Sequence, residues 1–297
     1  MNTATNIKIG TEEYLFIKEY QEIEEYRHSL NQLTAETFGF DFEGWYEQGF
    51  WTDRYRPYSL LHNNRVVANV SVNPLDFTME EKTYHTLQIG TVMTASDYRK
   101  RGLSKALFDI IMEEYEGQYD LMYLYANATV REFYPRFGFV EAQEFIYSKQ
   151  CERNDHYTFR KLNGTSEEDR QLLLRLVKDA KPYSRYTLTD NPFLPLFYLT
   201  APLADCIYYC EELDLAAVVE SEEDSIFVHG IYGTKDYNPL DVIAALLDQP
   251  VRKVRFGYTP LDISELKGEL LQEPDTTFFV KGNNFIHQGR LPVLSHA

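Results

Sequence analysis

Three cations, a glycine and a serine stand together where a strand-like segment passes into a helix-like one. They are Arg99, Lys100, Arg101, Gly102 and Ser104. The first backbone N–H groups of a helix have no partner within the helix, and they lie at the positive end of its dipole. Gly102 leaves that backbone uncovered and can adopt conformations that other residues avoid. A junction of this composition is suited to bind a phosphate or pyrophosphate group.

The segments on either side of this junction have different periodicities. Alternation over Leu87 to Thr94 predicts a β-strand. From Leu103 to Ile111 apolar residues recur every three or four positions, which predicts an amphipathic helix. The cationic turn is therefore expected between a strand and the N-terminus of a helix. The alternative is a solvated basic turn at the start of a surface helix, because short motifs match many unrelated proteins.

The string Arg99-x-x-Gly102-x-Ser104, after a strand that ends in Val-Met-Thr, resembles the acyl-CoA-binding motif of the GNAT acetyltransferases. A second resemblance lies downstream. There a strand-like run, Leu121 to Ala126, is followed by Asn127 and then by Phe-Tyr-Pro-Arg-Phe-Gly-Phe at positions 133–139, which is similar to the family's F-Y-x-x-x-G-F segment. Because both motifs occur in the family's order and at a suitable spacing, the sequence is identified as a member of the GNAT superfamily.

The resemblance implies an α+β fold with a mixed, mostly antiparallel central sheet flanked by helices. It also implies that acetyl-CoA is the acyl donor. In the family, the strand before the motif separates from its neighbour, pairs with the pantetheine arm and polarises the thioester carbonyl through backbone N–H groups. The residues expected to bind the donor are Thr91, Val92 and Met93 on this strand, Arg99, Lys100, Arg101, Gly102, Leu103 and Ser104 around the pyrophosphate, and Asn127 beside the pantetheine.

Acetyl transfer to an amine also needs a proton donor and a proton acceptor. Tyr134 matches the family's general acid, and a phenol with a pKa near 10 stays protonated at neutral pH. Its alternative role is packing, since the chain has 23 tyrosines. His85 and Glu81 precede the central strand, but a solvated turn is the favoured place for both. In the enhanced-intracellular-survival acetyltransferases the C-terminal carboxylate reaches the active site, and resemblance to them gives this role to Ala297.

Composition limits the classes of partner. The net charge of −17 disfavours nucleic acid and anionic membranes, because Lys and Arg neutralise phosphate backbones. It is compatible with a cationic amine, although surface carboxylates also simply maintain solubility. Cys151, Cys206 and Cys210 do not form a disulfide framework or a metal-binding pattern, so no metal is expected. The absence of a signal sequence and of a long apolar run predicts a cytoplasmic protein without a membrane partner.

The 297 residues are enough for two domains, and the order of the predicted elements repeats. Residues 58–125 and 206–256 both follow the order strand, strand, strand, helix, strand. We predict a GNAT domain over residues 1–150 and a degenerate GNAT-like domain over residues 156–297. The second copy lacks the anion-binding turn and is expected not to bind CoA; an unrelated α+β lid is the alternative. This arrangement resembles the front part of the enhanced-intracellular-survival acetyltransferases.

Four local expectations accompany this division. The polar residues 1–13 are expected to be frayed. A helix is expected near Thr129 to Arg136, and a strand at Phe145 to Ser148 is expected to complete the first domain. The apolar segments Phe278 to Val280 and Leu291 to Leu294 predict a packed C-terminal tail.

The sequence predicts an acetyl-CoA-dependent N-acetyltransferase that acetylates a primary amine of a small molecule by direct transfer in a ternary complex. A covalent enzyme intermediate is not supported, because no cysteine lies near either motif. Two alternatives stay open: a non-catalytic acyl-CoA-binding or regulatory module, and a protein or peptide N-acetyltransferase. The residues do not identify the acceptor or the acyl chain. They leave open a homo-oligomer and a contribution of the second domain to the acceptor pocket.

Overall fold

The protein, described here by a computed structural model over residues 3–296, contains two β-sheets with helices packed against them. The first eight strands are β1 (Thr3–Ile9), β2 (Glu12–Lys18), β3 (Arg56–His62), β4 (Arg65–Met79), β5 (Lys82–Thr94), β6 (Leu121–Ala126), β7 (Val140–Glu141) and β8 (Phe145–Glu152). The others are β9 (Arg160–Lys161), β10 (Thr187–Leu188), β11 (Ile207–Cys210), β12 (Leu215–Ser221), β13 (Ser225–Gly233), β14 (Val251–Phe256), β15 (Lys267–Leu270) and β16 (Thr277–Gly282). The helices are α1 (Glu24–Phe38), α2 (Glu43–Glu47), α3 (Leu103–Glu114), α4 (Glu167–Asp179), α5 (Phe193–Thr200) and α6 (Pro239–Ala244).

Each sheet is mixed but mostly antiparallel. The first has the strand order β1-β2-β3-β4-β5-β6-β16-β7, with β10 paired to β4, and the second has the order β15-β8-β14-β13-β12-β11-β9. One pair in each sheet is parallel: β5 with β6, and β13 with β14. The helix between the two parallel strands is α3 in the first sheet and α6 in the second. The predicted fold class is confirmed, and so is the repeated strand–strand–strand–helix–strand order.

The two sheets exchange a strand. The predicted strand at Phe145 to Ser148 forms within β8, but it pairs with β14 in the second sheet, so the prediction that it completes the first sheet is wrong. The place beside β6 in the first sheet is instead taken by β16, whose side chains Phe278, Phe279 and Val280 are buried. Alternation along a segment identifies a strand but does not identify its partner. The division at residues 150 and 156 therefore stays a prediction: β8 crosses it in one direction, and β10 and β16 cross it in the other.

Two further local predictions are wrong. Polar residues 3–9 form β1, because their backbone groups pair with β2 along its whole length; Met1 and Asn2 lie outside the described residues. The expected helix near Thr129 to Arg136 is replaced by two short 3₁₀ turns, Ala128–Val130 and Tyr134–Phe137. Pro135 lies in the second turn and has no N–H for a helical hydrogen bond.

The cores follow the apolar spacing of the helices. In α3, Leu107, Phe108 and Ile111 are fully buried against the first sheet. The predicted packing of the tail is confirmed, since Leu291 and Leu294 are also buried. Within residues 3–296, no helix has both the length and the apolar character needed to cross a membrane.

Candidate active site

The parallel strands β5 and β6 pair along only part of their length. Their ladder begins at Thr86 and Leu121 and ends at Gln88 and Tyr123. Beyond this point β5 continues to Thr94 and β6 continues to Ala126, without further pairing between the two in the described part of the chain. The predicted separation of the central strand from its neighbour is confirmed.

A bulge turns the backbone of β5 at this separation. The register between β4 and β5 shifts between Asn69 and Ser71, and Thr91 at the shift has a positive φ of 48°. The Asn69 amide donates to the Thr91 carbonyl at 2.9 Å, and the Tyr55 hydroxyl donates to the Thr91 hydroxyl at 3.2 Å. An uncommon backbone conformation persists only where its surroundings hold it. These two contacts therefore fix the part of β5 that was predicted to contact the thioester.

A cleft of about 1550 Å³ follows the separation of the strands. Ordinary small-molecule pockets measure about 300–1,000 Å³, so this cleft has room for two substrates. It brings together most of the predicted donor-binding residues with the predicted proton donor, Tyr134. The donor-binding residues that line it are Thr91, Val92, Met93, Arg99, Lys100, Gly102, Leu103, Ser104 and Asn127.

The N-terminus of α3 opens into the cleft. Gly102 directly precedes the helix with a φ of 81°, and no side chain of residues 3–296 caps the helix there. A Cβ atom added to Gly102 would meet nothing within 4 Å. The Ser104 hydroxyl is hydrogen-bonded to the Thr94 hydroxyl at 2.8 Å, which ties the first turn of α3 to the end of β5. The geometry is that of a helix terminus whose N–H groups are left for an anion.

The three cations of the turn have different positions. Arg99 donates from Nε to the Thr94 carbonyl at 3.3 Å and lines the cleft together with Lys100. The Arg101 guanidinium lies over the Tyr98 ring, 4.7 Å from its centroid, and donates to the Asp97 carbonyl at 2.7 Å. Arg101 is not among the residues that line the cleft. Its predicted contribution is therefore limited to its backbone.

Tyr134 is held between aromatic rings at the cleft. It is 4% exposed, and burial raises its pKa to about 12. The phenol is therefore protonated throughout the ordinary pH range, as a proton donor must be. The rings that pack around it are Phe108, Phe133, Phe139 and Phe279. The last of these belongs to β16, so the exchanged strand helps to position this tyrosine.

Asn127 lies where β6 ends, directly before the turn Ala128–Val130. Its side-chain carbonyl accepts a hydrogen bond from the Thr129 hydroxyl at 2.6 Å. This contact leaves the amide N–H₂ of Asn127 for other partners on the cleft side. The position is compatible with the predicted contact to the pantetheine arm, which stays a prediction.

The second half of the chain also forms part of the cleft. The sequence analysis had left this contribution open. Leu194, Phe197 and Tyr198 of α5 line it, as do the following Ala201 and Pro202. Sequence analysis assigned no element to this Pro-rich, aromatic segment and so missed α5. The available signal was Asn191, whose side-chain oxygen accepts from the Leu194 backbone N–H at 3.3 Å, as a helix-capping residue does.

A buried carboxyl group lies behind the cleft, and sequence analysis did not identify it. The Tyr125 hydroxyl donates to Glu144 Oε1 at 3.3 Å, and Tyr125 itself lines the cleft. Burial raises the pKa of Glu144 to about 7, although the nearby Arg290 lowers it. The Arg290 guanidinium approaches Glu144 to 3.9 Å. This residue set is formed only when segments distant in sequence pack together, so no local pattern could reveal it.

The predicted proton acceptor is not settled by these positions. Ala297 lies outside the described residues. His296, directly before it, lines the cleft and stacks on the Tyr125 ring with centroids 4.1 Å apart. Burial lowers the pKa of His296 to about 3, so its imidazole is neutral at pH 7. His85 is exposed, 2.9 Å from Asp76, and does not line the cleft.

Part of the sequence matches a known family. Residues 18–142 match the family model described as an acetyltransferase (GNAT) domain. These residues are a GNAT acetyltransferase domain. The match includes the separation of β5 and β6, the anion-binding turn, Asn127 and Tyr134, so all the predicted site residues except Ala297 lie within it.

Solved GNAT-like structures resemble the whole chain in fold. A GCN5-related N-acetyltransferase from Kribbella flavida is 16% identical, with a TM-score of 0.53 over 94% of this chain and 71% of that one. A probable N-acyltransferase from Enterococcus faecalis is 11% identical, with a TM-score of 0.58 over 94% and 72%. A GCN5-related N-acetyltransferase from Anabaena variabilis is 15% identical, with a TM-score of 0.53 over 91% and 73%. No curated protein matches the sequence significantly.

Proposed function

We propose that this GNAT protein transfers the acetyl group of acetyl-CoA directly to a primary amine of a small molecule. The observation that carries the proposal is the single cleft along the separated strands. The cleft extends from the uncapped N-terminus of α3 to Tyr134, and residues outside the donor-binding motif line the rest of it. A donor bound at α3 would place its thioester beside Thr91, and the remaining space would admit an acceptor.

Donor binding would use backbone and charge together. The N–H groups from Arg99 to Ser104 would bind the pyrophosphate, as at other helix N-termini, and the cations that line the cleft would add favourable charge. The N–H groups of Thr91 to Met93 would stabilise the oxyanion that forms on the thioester carbonyl. Asn127 would contact the pantetheine. Open space at Gly102 fits this assignment, because a side chain there would occupy the position of the phosphates.

The bonds and protons of the transfer step balance with only a few protein groups. A neutral amine nitrogen attacks the thioester carbon, the C–S bond breaks, and the nitrogen loses a proton as the amide forms. Tyr134 stabilises the departing sulfur by donating its phenolic proton, and the phenolate is reprotonated by the proton that leaves the nitrogen. An ammonium substrate must first lose a proton. The Ala297 carboxylate stays a prediction for this role, and release to water is the alternative.

Thiol release and the mass of the acetylated amine test this function. Tyr134→Phe should lower kcat by about 10²–10⁴-fold, the usual contribution of a general acid, while acetyl-CoA affinity is maintained. Tyr258→Phe is the matched control, because Tyr258 is also buried but lies in the second half. Its kcat should not change.

Other results would redirect the proposal. Unchanged turnover in Tyr134→Phe would remove Tyr134 from the mechanism. Binding of acetyl-CoA without thiol release for any amine would favour the non-catalytic acyl-CoA-binding module. Acetylation of peptides but not of free amines would favour the peptide acetyltransferase. The cytoplasmic location and the oligomeric state stay predictions.

A further inference from the structure

One side of the cleft is an aromatic wall, a name used here for Phe38, Phe40, Phe42, Trp45, Tyr55 and Phe197. The rings form a continuous contact. Phe42 lies 4.9 Å from Tyr55, 5.4 Å from Phe40 and 5.9 Å from Phe197, measured between ring centroids. Phe38 ends α1, four members lie between α1 and β3, and Phe197 comes from α5. Both halves of the chain therefore build this wall.

The aromatic wall begins at the expected position of the thioester. The Tyr55 hydroxyl donates to the Thr91 side chain, at the bulge of β5. The anion-binding turn lies beyond the other end of the exposed segment of β5, after Thr94. A donor that extends from the turn to Thr91 would thus present its acetyl group toward the wall. The wall occupies the place from which an acceptor amine must approach.

Charge is distributed unevenly between the two ends of the cleft. Among the described residues that line the cleft from positions 37–55 and 194–202, Asp41 is the only one with a charged side chain. The cations Arg99, Lys100 and Lys105 line the donor end, and Glu132 and Arg136 line the cleft near Tyr134. A ring face attracts a cation, and one carboxylate can balance one ammonium group. A ligand with several ammonium or hydroxyl groups would leave most of them without partners against aromatic carbon.

Some rings of the aromatic wall are buried, and others are exposed. Phe42 and Trp45 are 7% and 8% exposed, and the Trp45 indole N–H donates to the Phe193 carbonyl at 3.3 Å. In contrast, Phe38 and Phe40 are 48% and 43% exposed. Large apolar side chains left accessible inside a cleft are an informative feature, because an apolar ligand can cover them.

From this wall we infer that the acceptor is a primary amine that carries a single positive charge and an aromatic or bulky apolar group. The inference rests on the proposed acetyl transfer. The apolar group would pack on Phe40 and Phe197, and the amine would point toward Thr91. Unlike a polyamine or an amino sugar, such a substrate matches both the apolar surface and Asp41, the one carboxylate among the described lining residues of that side.

A panel of amines with full-length protein tests the substrate class. The probes are 2-phenylethylamine, ethylamine and putrescine, each assayed for thiol release and for the acetylated product. We expect kcat/KM for 2-phenylethylamine to exceed that for ethylamine by tenfold or more, because only 2-phenylethylamine has a phenyl group that can be buried against the aromatic wall. Putrescine should be no better than ethylamine.

Phe40→Ser locates the contact. It should lower kcat/KM for 2-phenylethylamine about tenfold while kcat/KM for ethylamine and the affinity for acetyl-CoA stay constant. Leu261→Ser is the control, since Leu261 is 56% exposed and does not line the cleft. It should change none of these quantities. Circular dichroism melting of both variants would verify that they remain folded.

The outcomes separate the two proposals. Acetylation of putrescine or ethylamine at least as fast as 2-phenylethylamine would overturn the inference and leave the acetyltransferase function intact. Weaker acetyl-CoA binding in Phe40→Ser would show that the wall binds the donor, and would also overturn it. Acetylation of none of the amines, with acetyl-CoA still bound, would count against the function and the inference together.

Discussion

In each half of this chain two parallel strands pair over part of their length, and the cleft of about 1550 Å³ follows the pair of the first half. In the first half β5 and β6 separate after Gln88 and Tyr123. In the second half β13 and β14 pair from Ser225 and Lys253 onward, and β13 again continues beyond the last pair, to Gly233. The halves therefore differ in what occupies the space after the strands separate.

In the second half the chain itself fills this space. The Val293 backbone N–H donates to the Gly257 carbonyl at 2.9 Å, just beyond β14. The 3₁₀ turn Val293–Ser295 packs against β13, and Leu294 would lie 3.1 Å from a Cβ atom on Gly230. Residues 293–295 thus lie along the second pair of strands as a donor would lie along the first.

The two halves also differ at the N-terminus of the helix that connects their parallel strands. The N-terminus of α6 is capped by its own Asn238, which accepts from the Leu240 backbone N–H at 3.0 Å. The N-terminus of α3 has no such cap among residues 3–296. A capped N–H group is satisfied within the protein and is lost to a ligand. The two halves therefore differ at the strand gap and at the helix terminus, and both differences favour an anion-binding site in the first half. That the second copy is degenerate stays a prediction.

The largest effect on stability should come from weakening the packing of residues 293–295 against β13. Leu294 is 1% exposed, so Leu294→Ala leaves a cavity between β13 and the tail and should lower the free energy of unfolding by about 2–5 kcal/mol. Chemical denaturation measures this change. Leu270→Ala is the control, because Leu270 is 42% exposed and should cost less than about 0.5 kcal/mol. Equal effects of the two variants would contradict the packing role of the tail.

The same variant also tests which feature distinguishes the two halves. Leu294→Ala should not create a second donor site, because the second half still lacks the anion-binding turn. Equilibrium titration with acetyl-CoA would verify this. A second equivalent of bound acetyl-CoA would show that occupation by the tail, and not loss of the turn, separates the halves.

A smaller effect should follow from Glu144, the buried carboxyl group behind the first cleft. Its pKa is raised in the folded state, so folding takes up a proton and stability falls as pH rises from the unfolded pKa, about 4.3, to about 7. The charged groups that act on it are Arg290 and Glu273, and Tyr125 donates to it. Glu144→Gln should remove this decline, so the variant should gain stability relative to wild type between pH 5 and 7.

Thermal melts at several pH values measure this difference. Glu211→Gln is a matched control, because Glu211 is exposed and its replacement should give a difference independent of pH. A constant difference between Glu144→Gln and wild type across pH 5–7 would show that Glu144 is not held neutral by burial.

Local patterns predicted most of the elements, and they failed where partners are distant. The turn at Gly102 follows from residues adjacent in sequence, whereas the separation of β5 and β6 was expected from the family resemblance; the donor site itself stays a prediction. The exchange of β8 and β16 does not, because each strand alternates in a way that suits either sheet. The aromatic wall joins residues from both halves, and the Tyr125–Glu144 contact joins the strand β6 to the residue before β8. Sequence spacing carries no information about such contacts until the topology is known.

Calorimetric titration with acetyl-CoA tests the central claim most directly. Wild type should bind one molecule per chain. Gly102→Glu should weaken binding tenfold or more, because its carboxylate would enter the pyrophosphate position and its φ of 81° disfavours any side chain. Gly117→Glu has the same backbone penalty, with a φ of 70° and open space around it, but lies past the other end of α3 and should bind normally. Two molecules per chain, or unchanged binding in Gly102→Glu, would contradict the assignment of a single donor site to the first half.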